Sequence, residues 1–214
     1  MISKRIRFIA SLIRKDESVL DIGCDHGFLA LMLRVNGNSE KIICADNKIG
    51  PLNNARKNLA GYENIDFVLS NGAQKVTEPV NVVVMSGLGY HNVTRIITSS
   101  PQYFDSVSRL IIQINTCVDQ LRSWLTANGF MIVAEDIIKD YRYYQILTVE
   151  KGEQQLSELE IRYGPFLLAS HSPVFCEHIR SQIDKKRQIL EGIEKSNPDY
   201  QKITDQIAEM ESLL

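Results

Sequence analysis

Hydrophobic and polar positions change period repeatedly along the 214 residues, and the changes predict an alternating chain. Ile6, Ile9, Ala10 and Ile13 recur at helical spacing within 3–14, after which Val19, Leu20 and Ile22 form a short apolar run that reads as a buried strand. A helix over 28–35, a strand around Ile42, and a helix over 51–59 follow. Strands are expected at 65–69, 81–85 and 110–114, with helices near 92–98 and 119–127. Asn128-Gly129 stops the last of these as a C-terminal cap. Two β-rich runs, 130–138 and 142–150, flank the polar turn Lys139-Asp140-Tyr141 and read as a hairpin. Strands alternating with helices imply an α/β fold with an open parallel sheet, and the hairpin adds an antiparallel pair at its end.

Beyond Gly152 the period changes. Ile179, Ile183, Leu190 and Ile193, then Tyr200, Ile203, Ile207, Met210 and Leu214, lie at heptad-like spacing, with Lys186 in the seam. Asn197 as N-cap and Pro198 at the first helical position split the stripe into an antiparallel helical hairpin. The expected organisation is a main domain over 1–152 and a linker with a coiled-coil hairpin over 153–214. Periodicity alone fits either this hairpin within one chain or a dimerisation coiled coil.

Composition narrows the class. At 44% hydrophobic residues the chain can bury one α/β core with an appendage, and its net charge of −2 leaves any nucleic-acid binding to local patches. No long apolar run is present, and Lys4, Arg5, Arg7 and Arg14 interrupt the N-terminal segment, so neither a membrane span nor a secretory signal is expected. Cys24, Cys44, Cys117 and Cys176 lie far apart with no C-x-x-C pair, as in a reduced, cytoplasmic protein. His171, Cys176 and His178 fit no zinc spacing, and no metal is expected.

The candidate chemistry lies in Asp21-Ile22-Gly23-Cys24-Asp25-His26-Gly27. Glycines at 23 and 27 suit a strand-to-helix turn where a ligand approaches backbone, but the G-x-G of a dinucleotide fingerprint is missing. Asp46 ends the next strand, where a ribose-binding acid falls in such a βαβ unit; the alternative is a helix-capping acid. An acid, G-x-x-x-G and a second acid together resemble the S-adenosyl-L-methionine (SAM) site of the Rossmann-like class I methyltransferases.

A more specific resemblance spans nearly the whole chain. Ser3-Lys4-Arg5-Ile6, the Asp25-His26 pair, Gly50-Pro51, Val84-Met85-Ser86-Gly87-Leu88-Gly89, Gln113-Ile114-Asn115, Leu121-Arg122-Ser123-Trp124-Leu125 and Tyr163-Gly164-Pro165-Phe166-Leu167-Leu168 fall in the order seen in the bacterial tRNA (adenine(22)-N1)-methyltransferase family, TrmK. The resemblance implies a class I methyltransferase domain followed by a coiled-coil hairpin, SAM as cofactor, and N1-methylation of an adenine in tRNA. Asn71 stands where the family has an acid, Gly89-Tyr90 where it has a glycine pair, and Phe28 and Ala30 where it has an aromatic and a proline, which marks a divergent member. Asn71 can still accept a hydrogen bond from an adenine amine. Expected cofactor contacts are Asp21, Gly23, Gly27, Asp46, Asn71, Gly72 and Gly87.

Methylating N1 leaves positive charge on the adenine, so a carboxylate near the exocyclic amine would stabilise the transition state. Asp25 is the candidate, with a helix cap as its alternative role. His26 positions the base or fills the turn, and Asn115, at the end of the fifth strand, is expected to face the same crevice. Tyr90 could stack on a base. Lys4, Arg5 and Arg7, and Lys185, Lys186 and Arg187 on the hairpin, are the candidate phosphate contacts. A SAM enzyme acting on a small molecule, or a non-catalytic SAM-fold protein that binds a partner through its hairpin, are the competing readings.

Overall fold

The computed structural model describes residues 2–38 and 40–214. In chain order the elements are α1 (Lys4–Ser11), β1 (Val19–Ile22), α2 (Phe28–Val35), β2 (Ile42–Asp46), α3 (Ile49–Asn58), β3 (Ile65–Leu69), β4 (Val82–Leu88), α4 (Tyr90–Thr98), α5 (Pro101–Asp105), β5 (Arg109–Ile114), α6 (Val118–Ala127), β6 (Phe130–Lys139), β7 (Tyr143–Lys151), α7 (Glu158–Tyr163), α8 (Pro165–Ser170), α9 (Pro173–Glu191) and α10 (Pro198–Glu211). The strands form one sheet in the order β3-β2-β1-β4-β5-β7-β6, parallel through β5 and antiparallel where β7 joins β5 and β6. This is the expected α/β, Rossmann-like class I methyltransferase sheet with its closing hairpin. The switch point falls between β1 and β4, where the chain leaves one half of the sheet for the other, and ligands bind above the strand ends there.

Period-two side-chain alternation sets the two cores. Val82 and Val84 of β4 enter one buried cluster with Ile9, Leu29, Leu33 and Leu52 from the helices, whereas Val83 and Met85 enter the other with Val93, Ile97, Leu121 and Leu125. Both faces of the parallel strands are therefore dry, as their continuous apolar runs require. β4 extends three residues past the expected end at Met85, with a register shift between Ser86 and Leu88 that lets it curl over the strand ends.

The chain divides into two compact units, the second being Pro165–Leu214, so the first reaches beyond the expected boundary at Gly152. Arg122 explains the extension. Its guanidinium is wholly buried on α6 and meets Glu135 at 2.6 Å, Gln145 at 2.6 Å, and the carbonyls of Ile161 and Arg162 at 3.0 and 3.3 Å. These bonds tie α7 to the β6–β7 hairpin. A Cβ on Gly164 would collide with Glu135 and Arg122, which places a glycine at the join.

The second unit contains the expected hairpin, with Asn197 accepting from the Asp199 amide at the start of α10. Phe175, Cys176, Ile179 and Ile183 of α9 and Ile207 and Met210 of α10 are buried, but Leu190 and Ile193 are only partly buried, so the apolar stripe fades toward the turn. Lys186 in the seam donates to Gln206 at 2.6 Å, Arg187 pairs with Glu211 at 2.6 Å, and His171 Nε2 lies 2.8 Å from the Leu213 carbonyl oxygen.

Replacing Arg122 by Met leaves Glu135 charged and buried, and urea denaturation should show a loss of about 3–5 kcal/mol. The double replacement Arg122→Met/Glu135→Leu should recover part of that loss. A double variant no more stable than the single one would show that the other partners of Arg122, not the buried charge, carry the effect.

Candidate active site

β1 ends in a turn whose residues 23, 25 and 27 all have left-handed φ, at 80°, 47° and 70°. The amides of Gly23 and Cys24 both donate to the Ala45 carbonyl, which pins the turn to β2. Gly27 is the N-cap of α2, and a Cβ there would lie 2.8 Å from a Leu59 methyl and 3.1 Å from the Ala55 Cβ. Gly27 thus holds α2 close to α3 and does not line the crevice, contrary to its expected ligand contact. Cys24 and Cys44 are buried behind the turn; a hydrogen bond from Cys44, and burial, push the Cys24 thiol pKa up.

Above β1, β2 and β4 lies a crevice of about 550 Å³. Of the residues expected to contact a cofactor, Asp21, Gly23, Asp46, Asn71, Gly72 and Gly87 line it. Asp21 is 5% exposed, and among the described residues no hydrogen-bond donor reaches its carboxyl. Burial, and secondarily the charge of Asp46, push its pKa up to about 7. Asp46 is partly exposed on the neighbouring strand, and its Oδ1 accepts from the Lys48 amide at 2.9 Å. That bond shapes the turn into α3, but the helix's N-cap is Lys48, so Asp46 is not the capping residue. The remaining oxygen has only a long contact, 3.4 Å, from the Asp25 amide and remains available to hydroxyl donors.

Asp25 and His26 line the same crevice. Asp25 does not cap α2, and its side chain is 68% exposed, which removes the capping alternative. His26 Nε2 lies 3.7 Å from the Asp25 carboxylate, and its ring stacks on Phe28 at 5.4 Å between centroids. A carboxylate beside a flat aromatic face is suited to a planar base that becomes cationic.

Asn115 is placed differently from its expected position. It lies just past the end of β5, exposed and outside the crevice, and its Oδ1 accepts from Gln113 Nε2 at 3.3 Å. The residue that joins the site from β5 is Gln113, which is fully buried and accepts from Arg5, Ser86 and Gly87. Gln113 was visible only as part of the resemblance, because a lone Gln in an apolar strand carries no local signal. Asn92 and Arg95 of α4 also line the crevice, whereas Tyr90 lies outside it. The two basic clusters separate as well. Lys4 and Arg7 are exposed while Arg5 turns into the crevice, and on the hairpin Lys186 and Arg187 are engaged across to α10.

A family model described as tRNA (adenine(22)-N(1))-methyltransferase, TrmK, matches residues 19–212. A candidate tRNA methyltransferase of Mycoplasma genitalium is 32% identical over 174 residues, covering 77% of this chain and 78% of that protein. Among solved structures, a candidate tRNA (m1A22) methyltransferase of Streptococcus pneumoniae in complex with SAM is 34% identical, with a TM-score of 0.90 and full coverage of both chains. TrmK of M. capricolum in complex with S-adenosyl-homocysteine is 28% identical, with a TM-score of 0.82 over 99% of this chain and 97% of that one.

The raised pKa of Asp21 has a defined sign. The folded state holds this proton more tightly than the unfolded chain, so ionisation of Asp21 opposes folding. The penalty is absent below about pH 4 and complete above about pH 7. Asp21→Asn, which mimics the protonated carboxyl, should therefore raise the unfolding free energy of the ligand-free protein at pH 8 by about 4 kcal/mol and leave it nearly unchanged at pH 4. Denaturation curves showing the same difference at both pH values would place the carboxyl in contact with solvent.

Proposed function

The chain belongs to the TrmK family of tRNA (adenine(22)-N(1))-methyltransferases, and we propose that its crevice transfers a methyl group from SAM to N1 of an adenine in tRNA, with Asp25 stabilising the charge that develops. The residues fit this cofactor. Asp21 offers a buried carboxylate without a donor to a ligand that carries an ammonium and a sulfonium, Asp46 offers acceptors to ribose hydroxyls, and the Asn71 carbonyl can take an adenine amine. When bound, SAM supplies the electrophilic methyl. Among the described residues no helix is long and apolar enough to cross a membrane. A tRNA substrate places the reaction in the cytoplasm, where the cysteines stay reduced.

The protein's own part is positioning and charge. The adenine must leave its stack to bring N1 into line with the methyl, about 3 Å away. The His26–Phe28 face receives the ring, and His26 steadies the Asp25 carboxylate. Asp25 then accepts a hydrogen bond from the exocyclic amine as the ring gains positive charge, and can take its proton. Asn115 acts indirectly, by holding the Gln113 amide. The observation that carries this reading is the Asp25 carboxylate, unused by α2 and beside the aromatic face of the crevice that Asp21 and Asp46 line.

Asp25→Asn tests it cleanly, because Asn also tolerates the left-handed backbone at this position. Single-turnover methylation of tRNA should fall by about 100-fold or more while SAM affinity and the melting temperature hold. A near-normal rate would reduce Asp25 to a turn residue.

The hairpin serves tRNA docking in this reading, through Lys185, Lys186 and Arg187. Because Lys186 and Arg187 are already engaged on α10, Lys185 carries most of the interaction. Neutral replacement of all three should weaken tRNA binding and lower the slope of log affinity against log salt by about one unit, not three. An unchanged slope, together with dissociation of a dimer in sedimentation, would make the hairpin an oligomerisation device.

A further inference from the structure

Three arginines of the first unit are spent on its own structure. Arg109 and Arg122 meet the carboxylates of Glu17 and Glu135, and Arg34 is bonded to the carbonyls of Asn38, Glu40, Glu63 and Asn64. Arg5 is half-buried in the crevice wall with neutral partners only. Its Nη1 donates to Gln113 Oε1 at 2.9 Å, and its guanidinium lies 5.2 Å from the Tyr144 ring centroid. Among the described residues no carboxylate comes within ion-pair distance of it. Neutral anchors fix the direction of the fork and leave its charge and its other N–H groups for a ligand.

The anchoring is built from several strands. Gln113 Oε1 also accepts from the Gly87 amide at 3.1 Å and Ser86 Oγ at 3.3 Å, and the Asn115 carbonyl takes the Nε2 at 3.3 Å, so the amide presents its oxygen to Arg5. A Cβ on Gly87 would stand 3.4 Å from Arg5 Nη1, so the glycine, with φ 79°, lets the guanidinium lie against the β4 backbone. Position then selects the ligand. Asp46 lies on β2, whereas the anchors of Arg5 lie on β4, β5 and β7, two strands or more across the sheet. At about 4.8 Å per strand this places the anchors roughly 10–19 Å across the sheet from Asp46.

We propose that Arg5 grips a phosphate oxygen of the target nucleotide as its base turns into the crevice, with Gln113 as the residue that positions the guanidinium. This rests on the tRNA methyltransferase reading and assigns to one side chain the anchoring of the everted nucleotide. Lys4 and Arg7, one residue before and two after on α1, have no such place. They are exposed, and Arg7 Nε donates back to the Ile2 carbonyl.

The experiment compares Arg5→Gln, Arg5→Lys and Gln113→Glu in the full chain, reading S-adenosyl-homocysteine affinity by calorimetry, and tRNA affinity and its salt slope by filter binding. For Arg5→Gln, tRNA affinity should fall about 10- to 100-fold and the salt slope by about one unit, with S-adenosyl-homocysteine affinity within about twofold of the parent. Arg5→Lys should recover the slope but only part of the affinity, because an ammonium cannot present the fork. Gln113→Glu keeps the acceptor but pairs the guanidinium internally, and should copy Arg5→Gln although the arginine is intact. If Gln113→Glu fails to fold, the two Arg5 variants decide alone. A loss confined to S-adenosyl-homocysteine would assign Arg5 to the cofactor's carboxylate and overturn the proposal, as would unchanged tRNA affinity and slope in Arg5→Gln. A parent protein that binds tRNA yet leaves it unmethylated would instead refute the methyltransferase reading, and the phosphate grip would still be read from binding alone.

Discussion

Asp21 lies on an interior strand of the sheet, with β2 and β4 on either side and packed helices below, and among the described residues its carboxyl meets no donor. A charge in that place is unfavourable, which is why the group holds its proton up to about pH 7. Asp46 on the adjacent strand makes the position worse for an anion and better for a cation. The two acids therefore define the ligand before any contact is made. They suit a ligand with positive charge over β1 and hydroxyl donors over β2, and a sulfonium nucleoside has both. A cation beside Asp21 favours its ionised form.

The first unit handles its own cations in two ways. Arg122 is neutralised on the spot by Glu135, and its remaining N–H groups are spent on backbone and Gln145, so it fixes structure and can recognise nothing. Arg5 is held instead by an amide and a ring, which take up geometry without taking up charge. The difference between Glu135 and Gln113 as partners thus separates a structural arginine from one free to act on a ligand. One is a carboxylate and the other its uncharged isostere.

What the sequence showed follows from how local each signal is. The helix at 28–35 coincides with α2 because a glycine turn fixes its start and an apolar stripe its length. Asp21 and Asp46 were legible because the one interrupts and the other ends a short apolar run, where the strand-end rule needs no distant information. Short helices α5, α7 and α8 went unread, although Ser157 and Glu160 form a capping box that marks the start of α7. Asn115 was assigned to the crevice from its place at the end of the fifth strand, but it stands one residue past β5 and outside the crevice, and its amide oxygen accepts from Gln113, two residues earlier. The Arg5–Gln113 bond could not be read locally, since nothing near either residue indicates the other.

That bond spans 108 residues, and the one from the Lys4 amide to Asp140 spans 136. On a growing chain the carboxylate half of the crevice has all its strands by Asp46, and β4 closes it by Leu88. Arg5 is synthesised before either, yet it has no anchor until Gln113 and Tyr144 have emerged and β7 has inserted beside β5. Long-range closures of this kind are the slow events in folding, because chain entropy must be lost before the contact forms. The wall of the crevice that holds Arg5 thus depends on residues from both ends of the first unit's sheet-forming chain, and one of the first side chains made waits on some of the later strands for its partners.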